Sequence, residues 1–163
     1  MREQVLNILK GLPGAGKSTW AAAWRAQDSQ HRVVVNRDSI RFELFGVYSD
    51  LTEEQEAVVS DIEFLRVDRA LGAGMSVTVD ATHLVAAHRQ RWSDLADRHG
   101  VRHAVIPIDT ALGECLRRNR ARAVAGGRFV PEGIIVQMNA AAESDDESGD
   151  CQRGKEILSQ HGK

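Results

Sequence analysis

The sequence predicts an α/β fold in which a central sheet of four parallel strands is flanked by helices. Short apolar runs of strand type alternate with longer segments of helical periodicity, which is typical of parallel βαβ units with right-handed crossovers. Val33, Val34 and Val35 form an unbroken apolar run, as expected for a strand that is buried on both faces. The length of 163 residues is sufficient for one domain with its own core.

Strands are predicted where a short apolar run is bounded by polar residues or glycine. In chain order the predicted strands are Gln4–Lys10, Arg32–Asn36, Ser76–Asp80 and Val101–Ile108. The carboxyl ends of parallel strands meet at one edge of a sheet, where ligands bind in open α/β folds. The residues that follow these strands are therefore the first candidates for a functional site.

Helices are predicted from start and stop signals between the strands. Thr52 followed by Gln55 forms a capping-box pattern, and Pro131 suits the first position of a helix. Gly46 and Gly100 are predicted to end the helices that precede them. The predicted helices run from Ser18 to about Gln27, from Asp38 or Ser39 to Gly46, from Thr52 to about Leu71, from Ala86 to Arg98, from Thr110 to about Arg122, and from Pro131 to about Ala142. The predicted buried side of the third helix comprises Val58, Ile62, Leu65 and Leu71.

Residues 11–18 read Gly-Leu-Pro-Gly-Ala-Gly-Lys-Ser and match the phosphate-binding pattern G-x-x-x-x-G-K-[ST]. This P-loop lies between a predicted strand and a predicted helix, where backbone N–H groups and the helix dipole can hold a phosphate. Lys17 is predicted to reach the outer phosphates, and the Ser18 hydroxyl to ligate Mg²⁺. The sequence therefore predicts binding of ATP, or another nucleoside triphosphate, with Mg²⁺. The predicted nucleotide contacts are Gly14, Ala15, Gly16, Lys17, Ser18 and Thr19 in the loop, with Arg118 and Arg122 beyond it.

The composition argues against several other classes of protein. Hydrophobic residues make up 42% of the chain, charged residues 27%, and the net charge is −2, so there is no general attraction for polyanions. Cys115 and Cys151 belong to no C-x-x-C pair, so neither a disulfide framework nor a structural metal site is predicted. We expect a cytoplasmic protein without membrane contact, since no signal peptide or membrane span is recognisable. No obligatory protein partner is evident.

Asp38 follows the second predicted strand and is predicted to accept the proton of an attacking hydroxyl. Arg41 lies three residues later on the same helical face, where it is predicted to hold an anionic group of the acceptor. The alternative is that Asp38 merely caps the short helix and that Arg41 is its surface ion-pair partner.

Asp80 ends the third predicted strand. It is predicted to lie near the metal or to orient Arg41, with an ordinary turn residue as the alternative. Thr82 is predicted to touch the substrate. His83 could do the same, but a single histidine near a strand end is more often structural.

An arginine cluster follows the fourth predicted strand and comprises Arg117, Arg118, Arg120, Arg122 and Arg128. With the glycines at 126 and 127 it predicts a mobile helix-loop lid over about 118–131. Helical spacing places Arg118 and Arg122 on one face and Arg117 and Arg120 on another, so these four cannot all contact one ligand. Arg122 is the preferred candidate for the transferred phosphate, with Arg118 second. The alternative is a solvated basic surface.

Taken together, these segments resemble the kinase domain of the bacteriophage polynucleotide 5′-hydroxyl kinase family, in one colinear order over about residues 4–140. The resemblance implies a P-loop kinase fold and, as acceptor, a 5′-hydroxyl end of DNA or RNA. It implies that Asp38 is the general base, that Arg41 binds the adjacent 3′-phosphate and that Arg122 contacts the transferred phosphate. The segments that carry it are GLPGAGKSTW, VNRDSIR, VTVDATHL with HRQRWSDLADRHG, IPIDTALGECLRRNRAR and FVPEGIIVQM.

Parts of the chain fit the resemblance less closely, and other functions remain open. Gly126, Gly127 and Arg128 look like an insertion in the lid. A kinase of sugar, nucleoside or antibiotic hydroxyls would use the same loop and base, and a non-kinase ATPase or switch module would need only the loop. The kinase domain is predicted to span 1–142, followed by an acidic, poorly ordered tail over 143–163.

Overall fold

The computed structural model of the chain describes residues 2–147 and confirms the predicted α/β fold. Four parallel strands form one sheet in the order β2-β3-β1-β4. Each strand agrees with its predicted bounds to within one residue at either end. The strands are β1 Val5–Lys10, β2 Arg32–Asn36, β3 Ser76–Asp80 and β4 Arg102–Pro107.

The strand register brings the candidate site residues to one edge of the sheet. Asn36, at the end of β2, pairs with Asp80 at the end of β3. The central strand β1 lies between β3 and β4, and its end leads directly into the P-loop. Because the strands are parallel, the P-loop and the residues after β2 and β3 face the same crevice.

Six helices cover the sheet within residues 2–147. The capping box is confirmed at the third of them, where the Thr52 hydroxyl accepts a hydrogen bond from the Gln55 N–H and the Gln55 side chain accepts one from the Thr52 N–H. No helix in this part of the chain combines the length and apolar character that a membrane span requires. The helices are α1 Lys17–Ala26, α2 Arg37–Phe45, α3 Glu53–Gly72, α4 Ala86–His99, α5 Leu112–Val124 and α6 Glu132–Glu147.

The buried apolar side chains form two clusters. The larger one joins the sheet to α3 and α4 and includes Leu6, Val79 and Trp92. The smaller one joins the P-loop to α5 and α6 through residues such as Leu12 and Cys115. The second cluster therefore packs the phosphate-binding loop directly against the helices on either side of the predicted lid.

The predicted buried face of α3 is partly wrong. Leu71 is buried as predicted, but Val58 and Leu65 are 45% and 40% exposed, whereas Val59 and Val67 are fully buried. Apolar residues occur in this helix on two overlapping stripes one position apart, so periodicity alone does not select the correct one. Packing against the sheet selects the stripe that contains Val59 and Val67.

The last helix also differs from its prediction, because α6 continues to Glu147, beyond the expected end at about Ala142. Asp145 explains the extension: its carboxylate accepts hydrogen bonds from the Ala86 N–H at the start of α4 and from the Arg89 guanidinium. A carboxylate at a helix N-terminus is favoured by the exposed N–H groups and the helix dipole. Residues 143–147 thus belong to α6. The rest of the predicted tail, 148–163, lies outside the described residues.

The register of α3 can be tested with two neighbouring valines. Val59→Ala should lower the free energy of unfolding by about 2 kcal/mol, because it removes buried apolar atoms and leaves a cavity. Val58→Ala is the matched control and should change it by no more than about 0.5 kcal/mol. Urea denaturation of both variants measures the difference. Equal losses, or a larger loss for Val58→Ala, would contradict the assigned face.

Candidate active site

The P-loop has a backbone that only glycine adopts easily at two positions. Gly14 and Gly16 have φ angles of +82° and +104°, in the left-handed region. A β-carbon on Gly14 would also lie 2.6 Å from the carbonyl oxygen of Cys115 in α5. The loop is tied to the sheet as well, because the Gly11 N–H donates to the Thr82 carbonyl at 3.0 Å. These constraints hold the loop amides around a space suited to a phosphate.

Lys17 occupies the base of the crevice. Its ammonium group donates to the Leu12 carbonyl at 2.7 Å, which holds the side chain across the P-loop. Burial lowers the pKa of Lys17 to about 8, and the carboxylates of Asp80 and Asp38 act in the opposite direction. The cation is therefore poised to gain stability when a phosphate lies beside it.

Ser18 and Asp80 form the part of the site that fits Mg²⁺. The Ser18 hydroxyl donates to Asp80 Oδ2 at 2.7 Å, and the Asn36 amide donates to the same oxygen at 2.6 Å. Within residues 2–147 there is no cluster of three or more His, Cys, Asp or Glu side chains that could hold a metal. A hydroxyl and a carboxylate, completed by phosphate oxygens and water, are the sparse oxygen ligands that Mg²⁺ uses. The residues present thus fit that ion.

Besides a place near the metal, the sequence left two other roles open for Asp80, and the structure supports neither of them. Asp80 is buried at the end of β3 with two hydrogen-bond donors, so it is not merely a turn residue. Nor does it orient Arg41, whose carboxylate partners are Asp38 and Glu56. The prediction that Asp80 orients Arg41 is therefore wrong, because α2 directs that arginine towards α3 instead.

Asn36, and not Asp38, caps helix α2. Its side chain accepts a hydrogen bond from the Ser39 N–H at 2.8 Å, so α2 begins at Arg37, earlier than predicted. This rules out the alternative in which Asp38 serves only as the cap. Asp38 instead lines the crevice, and Arg41 donates to its Oδ1 at 2.7 Å. The sequence does contain a signal for this cap, since Asn is a favoured N-cap residue and Asn36 ends the strand that precedes the helix.

Glu56, on α3, is a site residue that the sequence did not reveal. Its two carboxylate oxygens accept hydrogen bonds from Arg41 Nε and Nη2 at 2.9 and 3.1 Å, and it also pairs with Arg37. Burial alone would raise the pKa of Glu56, but these guanidinium groups hold that pKa below its ordinary value. The bidentate contact fixes the orientation of Arg41. No local motif marks Glu56, because its partners lie on another helix.

The segment predicted as a lid, about 118–131, comprises the end of α5 and the loop that leads to α6, and Asn119 ties these two parts together. The fully buried Asn119 amide donates to the Val130 carbonyl at 2.7 Å and accepts from the Val130 N–H at 3.0 Å. Arg122 Nε donates to the Arg128 carbonyl at 2.8 Å, so this arginine also braces the loop. The loop then carries Arg128 across the crevice, where its Nη1 lies 2.8 Å from both carboxylate oxygens of Asp38.

The remaining arginines of the cluster separate as helical spacing predicts. Arg118 Nη1 lies 3.3 Å from the carbonyl oxygens of Gly14 and Ala15, at the rim of the P-loop. Arg117 and Arg120 point to the outer surface and pair with Glu114 and Glu132. Solvated ion pairs therefore account for only part of the cluster.

His83 has a structural role, as is more common for a single histidine near a strand end. Trp92 Nε1 can only donate, so His83 Nε2 accepts at 2.9 Å and Nδ1 carries the proton that binds the Leu9 carbonyl at 2.7 Å. Burial lowers the pKa of His83 to about 4, which keeps the ring neutral. The ring thus joins β1 to α4 beneath the crevice.

One cavity of about 780 Å³ brings most of the predicted residues together. Ala15 is buried behind the loop and does not line it. The predicted site residues that do line it are Gly14, Gly16, Lys17, Ser18, Thr19, Asp38, Arg41, Asp80, Thr82, Arg118 and Arg122. Their roles stay predictions, whereas their convergence on one cavity is observed.

The fold and this cavity define a P-loop domain of the kinase type, with a phosphate loop, an acidic strand end and arginines on α5 and the loop that follows it. The chain belongs to the AAA domain family, whose model matches residues 6–144.

Similar proteins share this domain within longer chains. The L-seryl-tRNA(Sec) kinase of Methanococcus maripaludis is 29% identical over 137 residues, which are 82% of this chain and 51% of that protein. A chain of the Pnkp1/Rnl/Hen1 RNA repair complex is similar with a TM-score of 0.80 and 25% identity, over 92% of this chain and 47% of the other. A gluconokinase from Sinorhizobium meliloti shares the fold with a TM-score of 0.56 and 16% identity, over 86% of this chain and 76% of the other. The chain thus spans about half the length of the curated relative and of the RNA repair chain.

The lowered pKa of Lys17 predicts how nucleotide affinity depends on pH. Between pH 7 and 9 the affinity for a nucleoside triphosphate should fall about tenfold, because the ammonium group loses its proton near pH 8. Lys17→Arg should bind more weakly but with little change over this range, since its guanidinium stays charged. Titration calorimetry at several pH values measures both. A wild-type affinity that stays constant would contradict the assignment.

Proposed function

We propose that the protein transfers the γ-phosphate of ATP to the 5′-hydroxyl end of DNA or RNA, with Asp38 as the general base. The observation that supports this most strongly is the placement of Asp38 and Lys17 on one cavity. Asp38 is close enough to Lys17 to raise the pKa of its ammonium group against the effect of burial. This placement supports Asp38 as a proton acceptor across from the position where a P-loop lysine would hold the terminal phosphates.

The nucleotide side of the proposal follows from the P-loop. Loop amides and Lys17 would bind the phosphates, and Arg118 at the rim would lie over the nucleotide. Ser18 and Asp80 would hold Mg²⁺, which when bound neutralises charge on the β- and γ-phosphate oxygens. Arg122, which also lines the cavity, would add a positive charge near the transferred group.

The acceptor side follows from α2. The hydroxyl oxygen would form a bond to the γ-phosphorus while the bond from that phosphorus to the bridging oxygen breaks, ADP departs, and the hydroxyl proton passes to Asp38. Arg41 binds both Glu56 and Asp38, so its orientation is fixed beside the base. Its positive charge would therefore lie next to the reacting hydroxyl. A phosphate next to the hydroxyl suits such a cation, whereas a neutral sugar does not require it. Thr82, at the cavity wall, would contact the same acceptor.

The comparisons support an acceptor carried by nucleic acid. One relative is named for a kinase of seryl-tRNA, and a structural relative belongs to an RNA repair complex. Both names connect this domain with RNA. Contacts to phosphate carry no base information, so little sequence preference is expected.

Transfer of labelled γ-phosphate tests the proposal directly. Oligonucleotides with a 5′-hydroxyl should be labelled, and seryl-tRNA and neutral hydroxyl compounds should not. Asp38→Asn should reduce the rate at least about a hundredfold, because it removes the proton acceptor, and should leave ATP binding nearly unchanged. Asp61→Asn, an exposed acid on α3, is the control and should remain fully active. Labelling of a neutral compound alone would favour a small-molecule kinase, and most activity in Asp38→Asn would remove this residue as the base.

The role of Arg41 can be separated from that of Asp38 with paired acceptors. Wild-type protein should prefer a nucleoside 3′-phosphate over the same nucleoside with a free 3′-hydroxyl. In Arg41→Ala the ratio of kcat/KM for the two acceptors should fall by about one to two orders of magnitude, since the charge-assisted contact disappears. Arg66→Ala removes an exposed arginine paired with Glu43 and should keep the preference. An unchanged preference in Arg41→Ala would place phosphate recognition elsewhere.

A further inference from the structure

The contact between Arg128 and Asp38 joins residues 90 positions apart and spans the cavity. A single nitrogen, Arg128 Nη1, lies at the same distance of 2.8 Å from both carboxylate oxygens. An atom at equal distance from the two oxygens stands at the front of the carboxylate. With the bond from Arg41, three of the four acceptor positions of Asp38 are then taken.

The loop that carries Arg128 is held in place by specific contacts. Arg122 Nε binds the carbonyl of Arg128, and the Arg122 carbonyl accepts from the Gly127 N–H at 2.9 Å. Two residues further on, Val130 is bound at both its N–H and its carbonyl by Asn119. Arg128 therefore projects from a braced turn, and its contact with Asp38 follows from the fold of the lid.

Arg128 also retains donor capacity that its present contacts do not use. Its Nε is buried and has no hydrogen-bond partner among the described residues. A buried N–H without a partner costs free energy, and a phosphate oxygen in the cavity would remove that cost. The planar guanidinium can donate two parallel bonds to such a group.

The same contact obstructs the role proposed for Asp38. A base must have the attacking hydroxyl within hydrogen-bond reach, and Arg128 Nη1 stands where that hydroxyl has to approach. Arg128 must therefore leave Asp38 during each turnover. Arg41 can stay, because it approaches Oδ1 from the same helix and leaves Oδ2 free.

We propose that Arg128 is a positioning residue that masks the carboxylate of Asp38 until an acceptor enters, and then moves to an oxygen of the transferred phosphoryl group. This inference rests on the proposed function, because it assumes that Asp38 is the base. Its consequence is selectivity for the acceptor over water. With Asp38 masked, a water molecule in the cavity finds the front of this carboxylate occupied.

Unwanted hydrolysis is the reaction that this contact would suppress. Without the mask, a water oxygen could attack the γ-phosphorus of ATP, the bond to the bridging oxygen would break, and ADP would leave with its electron pair. One proton of the water would pass to Asp38. Removal of Arg128 should thus change hydrolysis and transfer in opposite directions, which a general loss of structure cannot do.

The test measures both rates in Arg128→Ala with ATP and Mg²⁺. Hydrolysis without an acceptor should rise about tenfold, a gain equivalent to about 1.4 kcal/mol. Transfer to a 5′-hydroxyl oligonucleotide should fall about tenfold or more, because a cation on the transferred group is lost. The double variant Arg128→Ala with Asp38→Asn should return hydrolysis to the wild-type level or below. Arg120→Ala, a lid arginine on the outer surface, is the matched control and should change neither rate more than about twofold.

The outcomes separate this inference from the proposed function. Unchanged or lower hydrolysis in Arg128→Ala, or a rise that persists in the double variant, would overturn the masking of Asp38. Transfer that does not fall would overturn the contact with the phosphoryl group. If the wild-type protein fails to phosphorylate any 5′-hydroxyl oligonucleotide, the proposed acceptor is wrong, and the hydrolysis measurements still decide whether Arg128 masks Asp38.

Discussion

The hydrogen bonds to Asp80 are the interaction on which the rest of the site depends. One buried carboxylate oxygen, at the end of β3, binds both the Ser18 hydroxyl of the P-loop and the Asn36 amide at the end of β2. Asn36 also caps α2. The direction in which α2 leaves the sheet is therefore set relative to the phosphate loop, and with it the place of Asp38. Hydrogen bonds to an ionised group in a buried setting are strong enough to hold such a geometry.

The ion pairs around the cavity orient their arginine side chains more than they stabilise the fold. Glu56 binds Arg41 and Arg37, and Arg37 also binds the buried carboxylate of Glu63. Removing charges from water costs about as much as their pairing returns, so such networks contribute little net free energy of folding. They do, however, restrict each guanidinium to one orientation. Arg41 consequently presents a fixed cation beside Asp38, and a fixed group loses less entropy on binding than a free one.

The parts of the molecule that depend on local sequence could be predicted, and those that depend on distant partners could not. The strands, the capping box of Thr52 and the P-loop follow from patterns of a few neighbouring residues. Val58 and Val59 differ by one position, and only the sheet on which α3 packs decides which is buried. Glu56 and Asp145 carry no local signal, because their partners lie on other helices. The predicted contact between Asp80 and Arg41 failed for the same reason, because Arg41 binds Glu56 on α3.

The loop between α5 and α6 shows why helical spacing does not identify the arginine that reaches Asp38. Spacing favours Arg122, which does face the cavity, but its Nε holds the carbonyl of Arg128. That brace requires glycine at position 127, where a β-carbon would lie 2.6 Å from Arg122 Cγ. The turn at Gly126 and Gly127 then returns the chain towards the crevice and delivers Arg128 to Asp38. Arg122 therefore supports the loop that carries Arg128, and the residues that first resemble an insertion determine which guanidinium faces the carboxylate of Asp38.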